Sequence, residues 1–477
     1  MKKSFLLSLS VLSFFVGIAQ ENQPNLYNGI NLNSYKLTDY RYLSLGTGLN
    51  TTNYKAFQDY NQDDNDIKEN GSSNHYQNIS SGSLNLMSIV SNRRYLGTQE
   101  ISFGFDSYHR NSTYKDYYKS PITPEQKYSR DYLVNRSNFS LSLSSTNRFY
   151  LPQEFFCEVN IYLTQSPSYN YSKLKDDSSK DVSISNNLDS ENEVELQIGH
   201  GRIENVTDAR LAVYILDDLQ KQGRLSRTLS QDEVFAFADF LTKTLNKRGI
   251  DSRIKRIKEY VAIDSFLVQN GLTTKTDGLY FGIVNDNRNY ARTQTWNTGR
   301  EWHFGVSPLI NYTNRFTKTT DDSGTSKTRD ELTECGLGFN AEYSSFWISG
   351  LKWQQNYSFK ASFNVLKYDT VGTYFNVSNY KTIAADASYQ ISYLPNTRTT
   401  ITGTCGVYAF KNLYKEISNW LNVSPYISST CDYYFSEKLR FQANASIGYH
   451  YDKRYDPSIY QNTWNFMVGV GLQYYFY

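Results

Sequence analysis

The last fourteen residues, 464–477, alternate strictly between two kinds of side chain. One row is apolar without a break and comprises Phe466, Val468, Val470, Leu472, Tyr474 and Phe476. The row between them comprises Met467, Gly469, Gly471, Gln473 and Tyr475. A period of two is that of a β-strand, whose successive side chains point to opposite faces. We therefore predict a strand with one continuous apolar face and one smaller, wetter face.

Similar alternation recurs along most of the chain. Six candidate strands precede residue 200, at about 41–50, 79–90, 98–110, 132–146, 154–166 and 191–200. Eight follow residue 300, at about 301–315, 332–345, 353–368, 379–394, 398–411, 417–434, 438–452 and 463–477. The connectors alternate between tight turns and long polar loops, which is the asymmetry of transmembrane barrels. The long loops are predicted near 51–78, 111–131, 167–190, 313–331, 369–378 and 453–462. The pattern predicts an all-β fold, an antiparallel up-and-down β-barrel of about 14 strands, with its tight turns in the periplasm.

Composition supports a barrel over other membrane or disordered classes. No apolar run long enough for a spanning helix follows residue 20, and the mean hydropathy is −0.60. The 42 Tyr, 27 Phe and 6 Trp residues are nevertheless too many for a disordered chain. A barrel reconciles the two, because only alternate strand residues meet lipid. The net charge of +2 gives no general attraction to nucleic acid. The four cysteines fall in apolar rows and are predicted to face lipid.

The amino terminus has the pattern of a secretory signal peptide. Two lysines, Lys2 and Lys3, precede an apolar stretch from Phe5 to Val16, and small residues follow. We predict a signal peptide over residues 1–19 with cleavage after Ala19.

Taken together, the signal peptide, the alternating strands and the aromatic final strand resemble those of Gram-negative outer-membrane β-barrel proteins. The resemblance implies location in the outer membrane, contact with its lipid, and recognition of the final strand by the barrel assembly machinery. Fourteen strands also occur in the long-chain fatty-acid transporter family. The chain departs from that family because residues 20–40 are short for its amino-terminal plug.

The inward phase of the predicted strands is polar and lightly charged, as the lumen of a barrel requires. The charged candidates for the lumen are Glu158, Glu195, Lys360, Asp386 and Arg440. Both signs occur, so no strong ion preference follows. Such a lining suits a water-filled channel or a hydrogen-bonded plug, and it also suits a barrel that transports nothing.

Residues 204–271 lose the period of two and acquire that of a helix. Ser230 and Glu233 form the pattern of a capping box at the start of one of three predicted helices. The inner face of the third helix is predicted to comprise Ile254, Ile257, Val261 and Phe266. We predict a three-helix periplasmic insertion between barrel segments 20–203 and 301–477. The connector 272–300 contains Tyr280–Val284, a short strand or packed segment.

Seven basic residues cluster in this insertion, and they are Lys243, Lys247, Arg248, Arg253, Lys255, Arg256 and Lys258. One interpretation is docking to an acidic periplasmic protein, to cell-wall polymer or to phospholipid headgroups. A second is a solvated helix face. A third is an insertion that folds into the lumen as a plug.

Motifs for catalysis or ligand binding are missing from the sequence. It has no CxxC, HExxH, GxSxG, Walker or dinucleotide-binding pattern. Ser107 and His109 share a strand face without a third partner, and the acidic segment 59–70 lacks the glycine and glutamate of a calcium loop. We predict no enzymatic activity, cofactor or metal. Two functions stay open: a channel or transporter for small or amphipathic solutes, or a non-conducting scaffold. The scaffold's insertion would dock a periplasmic partner in an export, assembly or surface-anchoring complex.

Overall fold

The fold is known from a computed structural model. It describes residues 27, 29–64, 67–119, 126–177, 179–246, 252–371, 379–413, 421–453 and 460–474. The predicted signal peptide lies outside these residues.

Fourteen β-strands form one sheet, and each strand pairs antiparallel with its neighbours in sequence. The first eight strands are β1 (Asp39–Asp64), β2 (Ile67–Asn92), β3 (Tyr95–Lys119), β4 (Gln126–Tyr150), β5 (Phe155–Asp176), β6 (Lys180–Asn205), β7 (Asn297–Asp321) and β8 (Gly324–Ser349). The other six are β9 (Trp353–Val371), β10 (Asn379–Asn396), β11 (Thr399–Asn412), β12 (Leu421–Tyr434), β13 (Leu439–Lys453) and β14 (Tyr460–Tyr474). The predicted strand number and the up-and-down order are confirmed.

The sequence predicts a closed barrel, whereas the described residues form a sheet whose first and last strands are not paired with each other. Among the described residues, β1 pairs with β2 alone and β14 pairs with β13 alone. Side chains on both strands are correspondingly exposed, with Leu49 at 86% and Val468 at 76% of their full accessibility.

The first eight strands are much longer than a membrane requires. They contain 22 to 26 residues each, whereas about 9–11 residues suffice to cross a bilayer. The predicted long loops at 51–78, 111–131, 167–190 and 313–331 were wrong, since most of their residues are paired strand. Both faces of these extensions are mostly polar. Their sequences therefore lack the alternation of apolar and polar residues from which a strand is predicted.

The alternation itself identifies the two faces of the sheet correctly. Outward positions such as Phe103, Leu141 and Phe304 are exposed apolar side chains, while inward positions are mostly polar. All four cysteines are free; Cys431 is buried, whereas the other three are exposed as a lipid-facing position requires.

Four helices connect β6 to β7. They are α1 (Thr207–Lys221), α2 (Gln231–Leu245), α3 (Ser252–Gln269) and α4 (Gly278–Tyr290). The fourth helix was not predicted: it occupies the segment taken as a short strand or connector, and its first turn is capped by Asp277, which accepts from the Tyr280 amide at 3.1 Å. The predicted capping box of Ser230 and Glu233 is present at the start of α2. None of the described helices is both long and apolar enough to traverse a bilayer.

The hydrophobic core lies in these helices and not between the strands. It joins side chains of α1 and α2, such as Leu216 and Phe237, to Leu32 near the amino terminus, to Leu351 in the turn after β8 and to Leu394 on β10 beside the turn that follows it. We call residues 29–38 together with α1–α4 the cap. The end of the sheet that carries these turns, the start of β1 and the end of β14 is called the cap rim.

Candidate functional site

The amino-terminal part of the cap is bound to the cap rim through one side chain. Asn33 donates to the Ile348 carbonyl at 2.8 Å and accepts from the Ile348 amide at 3.1 Å. Its carbonyl oxygen also accepts from the Thr298 hydroxyl at 2.6 Å. A single 3₁₀ turn, Leu32–Ser34, therefore has a fixed place against β7 and β8.

Helix α1 is bound to the rim by a buried arginine. The Arg210 guanidinium donates to the carbonyls of Leu351 at 3.1 Å and Ala291 at 3.3 Å, and to the Tyr214 hydroxyl at 3.1 Å. It lies 4.3 Å from the centre of the Trp296 ring. Burial lowers the pKa of Arg210. The planar guanidinium thus joins α1, the end of α4 and the turn between β8 and β9.

Helices α3 and α4 reach two further turns. Arg398, between β10 and β11, forms an ion pair with Asp286 and lies 4.2 Å from the centre of the Tyr290 ring. Glu437, between β12 and β13, accepts from Arg256 at 3.4 Å and also from Asn289. The cap therefore contacts three successive turns of the cap rim, those after β8, β10 and β12, and is held against the sheet.

Inside the sheet, a buried ion-pair network spans β4, β5 and β7. Arg148 pairs with the predicted lumen residue Glu158 and donates to Glu301 at 2.7 Å. Glu158 is only 5% exposed. Arg148 was not predicted to line the lumen, because the strand that carries it was predicted to end at residue 146, whereas β4 continues to Tyr150. The network links strands that are far apart in sequence across the inner face.

Three of the other predicted lumen residues meet at one cavity of about 330 Å³ on the inner face. Its lining includes Glu195, Lys360 and Asp386. Glu195 accepts from Asn160 at 2.8 Å, and the Lys360 ammonium lies 3.1 Å from a carboxylate oxygen of Glu342. The cavity thus offers carboxylates and a cation in a hydrogen-bonded wall. The fifth candidate, Arg440, lies apart from it on β13 and pairs with Asp432 at 2.6 Å.

The predicted basic cluster does not form a single face. Lys247 and Arg248 lie outside the described residues. Lys255 approaches Glu259 at 3.9 Å, and Arg256 makes the pair with Glu437 described above. Lys243, Arg253 and Lys258 are exposed. Part of the cluster therefore stabilises the cap itself.

The predicted inner face of the third helix is wrong. The face was predicted to comprise Ile254, Ile257, Val261 and Phe266, but the first three are exposed and Phe266 alone packs against the core. The buried face carries Ile263 and Leu267 instead, together with Glu259, which is paired with Arg288 at 2.5 Å. Both faces of α3 carry apolar residues, so the helical period by itself does not identify the inward one.

The weaker candidates for chemistry are separated or occupied. His109 lies 2.5 Å from the Asn135 side chain, and the acidic segment around Asp63 is paired strand, with Asp63 opposite Lys68. Within the described ranges, no three His, Cys, Asp or Glu side chains are grouped so that they could hold a metal ion.

Comparison with known proteins gives matches among solved structures. No family model matches the sequence, and no curated protein does. The translocator domain of the autotransporter NalP from Neisseria meningitidis is 9% identical, with 99% of this chain and 96% of that chain covered and a TM-score of 0.23. The CymD monoaromatic hydrocarbon channel is 9% identical over 96% and 94% of the two chains, with a TM-score of 0.24. The P. putida toluene transporter TodX is 9% identical over 92% and 90%, with a TM-score of 0.22.

At these TM-scores the class of the chain depends on its own features. Sequential antiparallel strands, an apolar outer face and a polar inner face are those of an outer-membrane β-barrel protein. The class predicted from the sequence is confirmed, and the location is the outer membrane.

Proposed function

We propose that this protein is an outer-membrane channel or transporter for small polar or amphipathic solutes, and that the cap closes its lumen at the periplasmic end. The observation that supports the proposal best is the bonding of the cap to the turns that follow β8, β10 and β12. A helical layer in that position obstructs any path along the polar inner face, so movement of the cap would control passage.

A closed barrel and a periplasmic cap are part of the proposal. Pairing of β1 with β14 would close the sheet and satisfy the backbone groups of both edges, as a bilayer demands. The apolar outer positions, such as Phe103 and Ile198, lie within about ten residues of the cap rim. The long polar strand extensions lie beyond them, at the opposite end, which suits the cell exterior.

The inner face supports passage over a purely structural role. A sheet of 14 strands encloses a wider interior than the eight-stranded barrels whose side chains fill the space. The cavity beside Glu195, Lys360 and Asp386 offers both charges to a small solute. A polar or zwitterionic molecule would find partners there without a strong preference for one sign.

Conductance of the full-length protein in planar bilayers tests the proposal. The double variant Asn33→Ala/Arg398→Ala removes the hydrogen bonds of Asn33 and the ion pair to Asp286 at the cap rim. We expect rare openings in the wild type and a several-fold higher mean conductance in the variant. Arg329→Ala is the matched control, because Arg329 is an exposed arginine on β8, paired with Glu331 at 2.7 Å and far from the cap.

A second substitution shows whether the current passes through the lumen. Lys360→Glu reverses the charge at the cavity and should shift the ion preference toward cations. Absence of conductance in the wild type and in the Asn33→Ala/Arg398→Ala variant would sink the transport proposal. The alternative is then the non-conducting scaffold, which one observation favours: the exposed apolar face of α3.

A further inference from the structure

Helix α3 exposes a narrow apolar line to solvent. Its members are Ile254, Ile257, Val261 and Val268, with 44%, 55%, 60% and 53% of their surfaces accessible. Their spacings of three, four and seven residues are those of the a and d positions of a heptad repeat. The line extends over about 21 Å at 1.5 Å per residue. We call these four residues the seam.

The acidic and basic side chains of α3 lie on different sides of the helix. Both carboxylates of α3 point toward the rest of the cap: Glu259 is 3% exposed and paired with Arg288, and Asp264 lies close enough to the buried Tyr280 to raise its pKa further than burial alone does. The exposed side chains beside the seam are the cations Arg253 and Lys258. They occupy the g and e positions that flank a heptad seam. The seam therefore has a cationic border.

We propose that the seam binds an acidic amphipathic helix of a periplasmic partner protein. Apolar side chains of that helix would pack between the four seam residues, and glutamates at its flanking positions would meet Arg253 and Lys258. This surface exists whether or not the lumen conducts, so the inference rests on the proposed periplasmic placement of the cap but not on transport.

A second copy of this chain fits the seam poorly. In a parallel helix pair, a g residue meets the e residue five positions further on in the partner, which places Arg253 of one copy against Lys258 of the other. Like charges at these positions destabilise pairing, whereas an acidic helix places carboxylates beside both Arg253 and Lys258.

A lipid surface also fits the seam less well. Helices that lie in a membrane interface have a broad apolar face, commonly with Trp, Phe or Leu. The seam is one or two side chains wide and consists of β-branched residues.

Binding of designed peptides to the full-length protein, held in neutral-lipid nanodiscs, tests the proposal. The probe is a fluorescent three-heptad peptide with Ile and Leu at a and d and Glu at e and g. The matched peptide carries Lys at e and g. We expect the Glu peptide to bind at least tenfold more tightly. Ile257→Asp should weaken its binding at least tenfold, and Lys258→Glu should reverse the preference between the peptides.

Leu279→Asp is the control variant, because Leu279 is an exposed apolar residue of the cap on α4 and outside the seam. It should leave peptide affinity unchanged, and circular dichroism should show every variant folded. Equal binding of the two peptides, or binding that Ile257→Asp leaves intact, overturns the proposal. Displacement of the Glu peptide by phosphatidylglycerol vesicles would assign the seam to lipid. Dimerisation of the protein that Ile257→Asp abolishes would assign it to a second copy.

Discussion

Arg210 is the residue on which the attachment of α1 to the cap rim depends most. Its guanidinium is buried and serves two carbonyls, those of Leu351 and Ala291. Arg210→Met keeps most of the volume but leaves the Ala291 carbonyl without its side-chain donor and the Leu351 carbonyl with the Tyr214 hydroxyl alone, at 3.3 Å. We expect a loss of about 2–4 kcal/mol in cap stability, because buried acceptors that lose a charged donor are costly. Hydrogen exchange of the α1 amides in the full-length protein measures it.

The control for this prediction is an exposed cation of the same cap. Lys243→Met on α2 removes a charge in contact with solvent and should leave exchange of the α1 amides unchanged. Equal acceleration of exchange in the two variants would show that the buried hydrogen bonds of Arg210 do not hold the helix.

Glu233 gives the start of α2 a specific dependence on pH. Its pair with Arg227, followed by the hydrogen bond from the Ser230 amide, lowers the pKa of Glu233 from 4.5 to about 2. The carboxylate therefore stabilises the folded helix start above about pH 4.5, and this contribution is lost as the pH falls toward 2. The protection factors of the first α2 amides, which correct the exchange rate for its intrinsic dependence on pH, should fall as the pH drops through this window. Glu233→Gln should remove the dependence, and an unchanged pH profile in that variant would contradict the assignment.

At the residue scale, the sequence predicts which side of the sheet a side chain occupies but not what it contacts. The inward phase placed Glu158, Glu195 and Lys360 on the inner face. Nothing local indicated that Glu158 would share Arg148 with Glu301, because residue 301 lies beyond the whole helical insertion. Contacts of that kind depend on the order of the strands around the sheet.

At the scale of single elements, we predict that outward strand positions do not tolerate a charge, because they face lipid. Val468 on β14 and Phe359 on β9 are exposed on the outer face, each six residues from the cap rim, near the expected midplane of the bilayer. Arg at either position should lower the free energy of unfolding by about 2–4 kcal/mol, because a charge there meets hydrocarbon. Denaturant unfolding of the protein in liposomes measures the loss.

Two comparisons make this test specific to the lipid face. Val468→Leu keeps the apolar surface and should be tolerated. Ser358→Arg places the same charge one residue from Phe359 but on the inner face, where water or polar side chains receive it. If Ser358→Arg destabilised the protein as much as Phe359→Arg, the assignment of the two faces would be wrong.

The elements that the sequence predicts well are those in which one face meets an apolar environment. The alternation of apolar and polar residues predicts all fourteen strands, because the side of each strand that faces lipid must be apolar. It failed for the extensions beyond the membrane, where Thr51 pairs with Ser80 through the backbone and through their two hydroxyls, 3.4 Å apart, and no apolar row is needed. It also failed for α3, whose two faces are both apolar, so that periodicity could not tell the core side from the seam.

For the whole molecule, the cap assembles from segments that are distant in sequence. The Tyr35 hydroxyl donates to Asp239 at 2.7 Å, and the Asn31 amide donates to the Gln231 side chain at 3.1 Å. Burial, with the Asp239 carboxylate, raises the pKa of Tyr35, so the hydroxyl remains the donor. The predicted insertion is thus completed by residues from before the first strand, which no local pattern could indicate.

The closure of the sheet is the remaining whole-molecule prediction. Both edge strands are exposed, and open backbone edges are incompatible with hydrocarbon, so β1 should pair with β14 in the membrane. The test uses a background in which the four native cysteines are replaced by Ser. A cysteine at Leu45 is combined, one at a time, with cysteines at Phe466, Val468, Val470 and Leu472.

We expect one combination to form an intramolecular disulfide efficiently, because directly opposed residues of adjacent strands come within about 5.5 Å, the usual spacing of disulfide-linked residues. Cysteines at Ala443 and Val470, which lie opposite each other on β13 and β14, provide the positive control. Cross-links that join two molecules would mean that β1 and β14 pair between copies. Cross-linking in the control pair alone would mean that the sheet stays open, and the lumen of the proposed channel would then lack its closing wall.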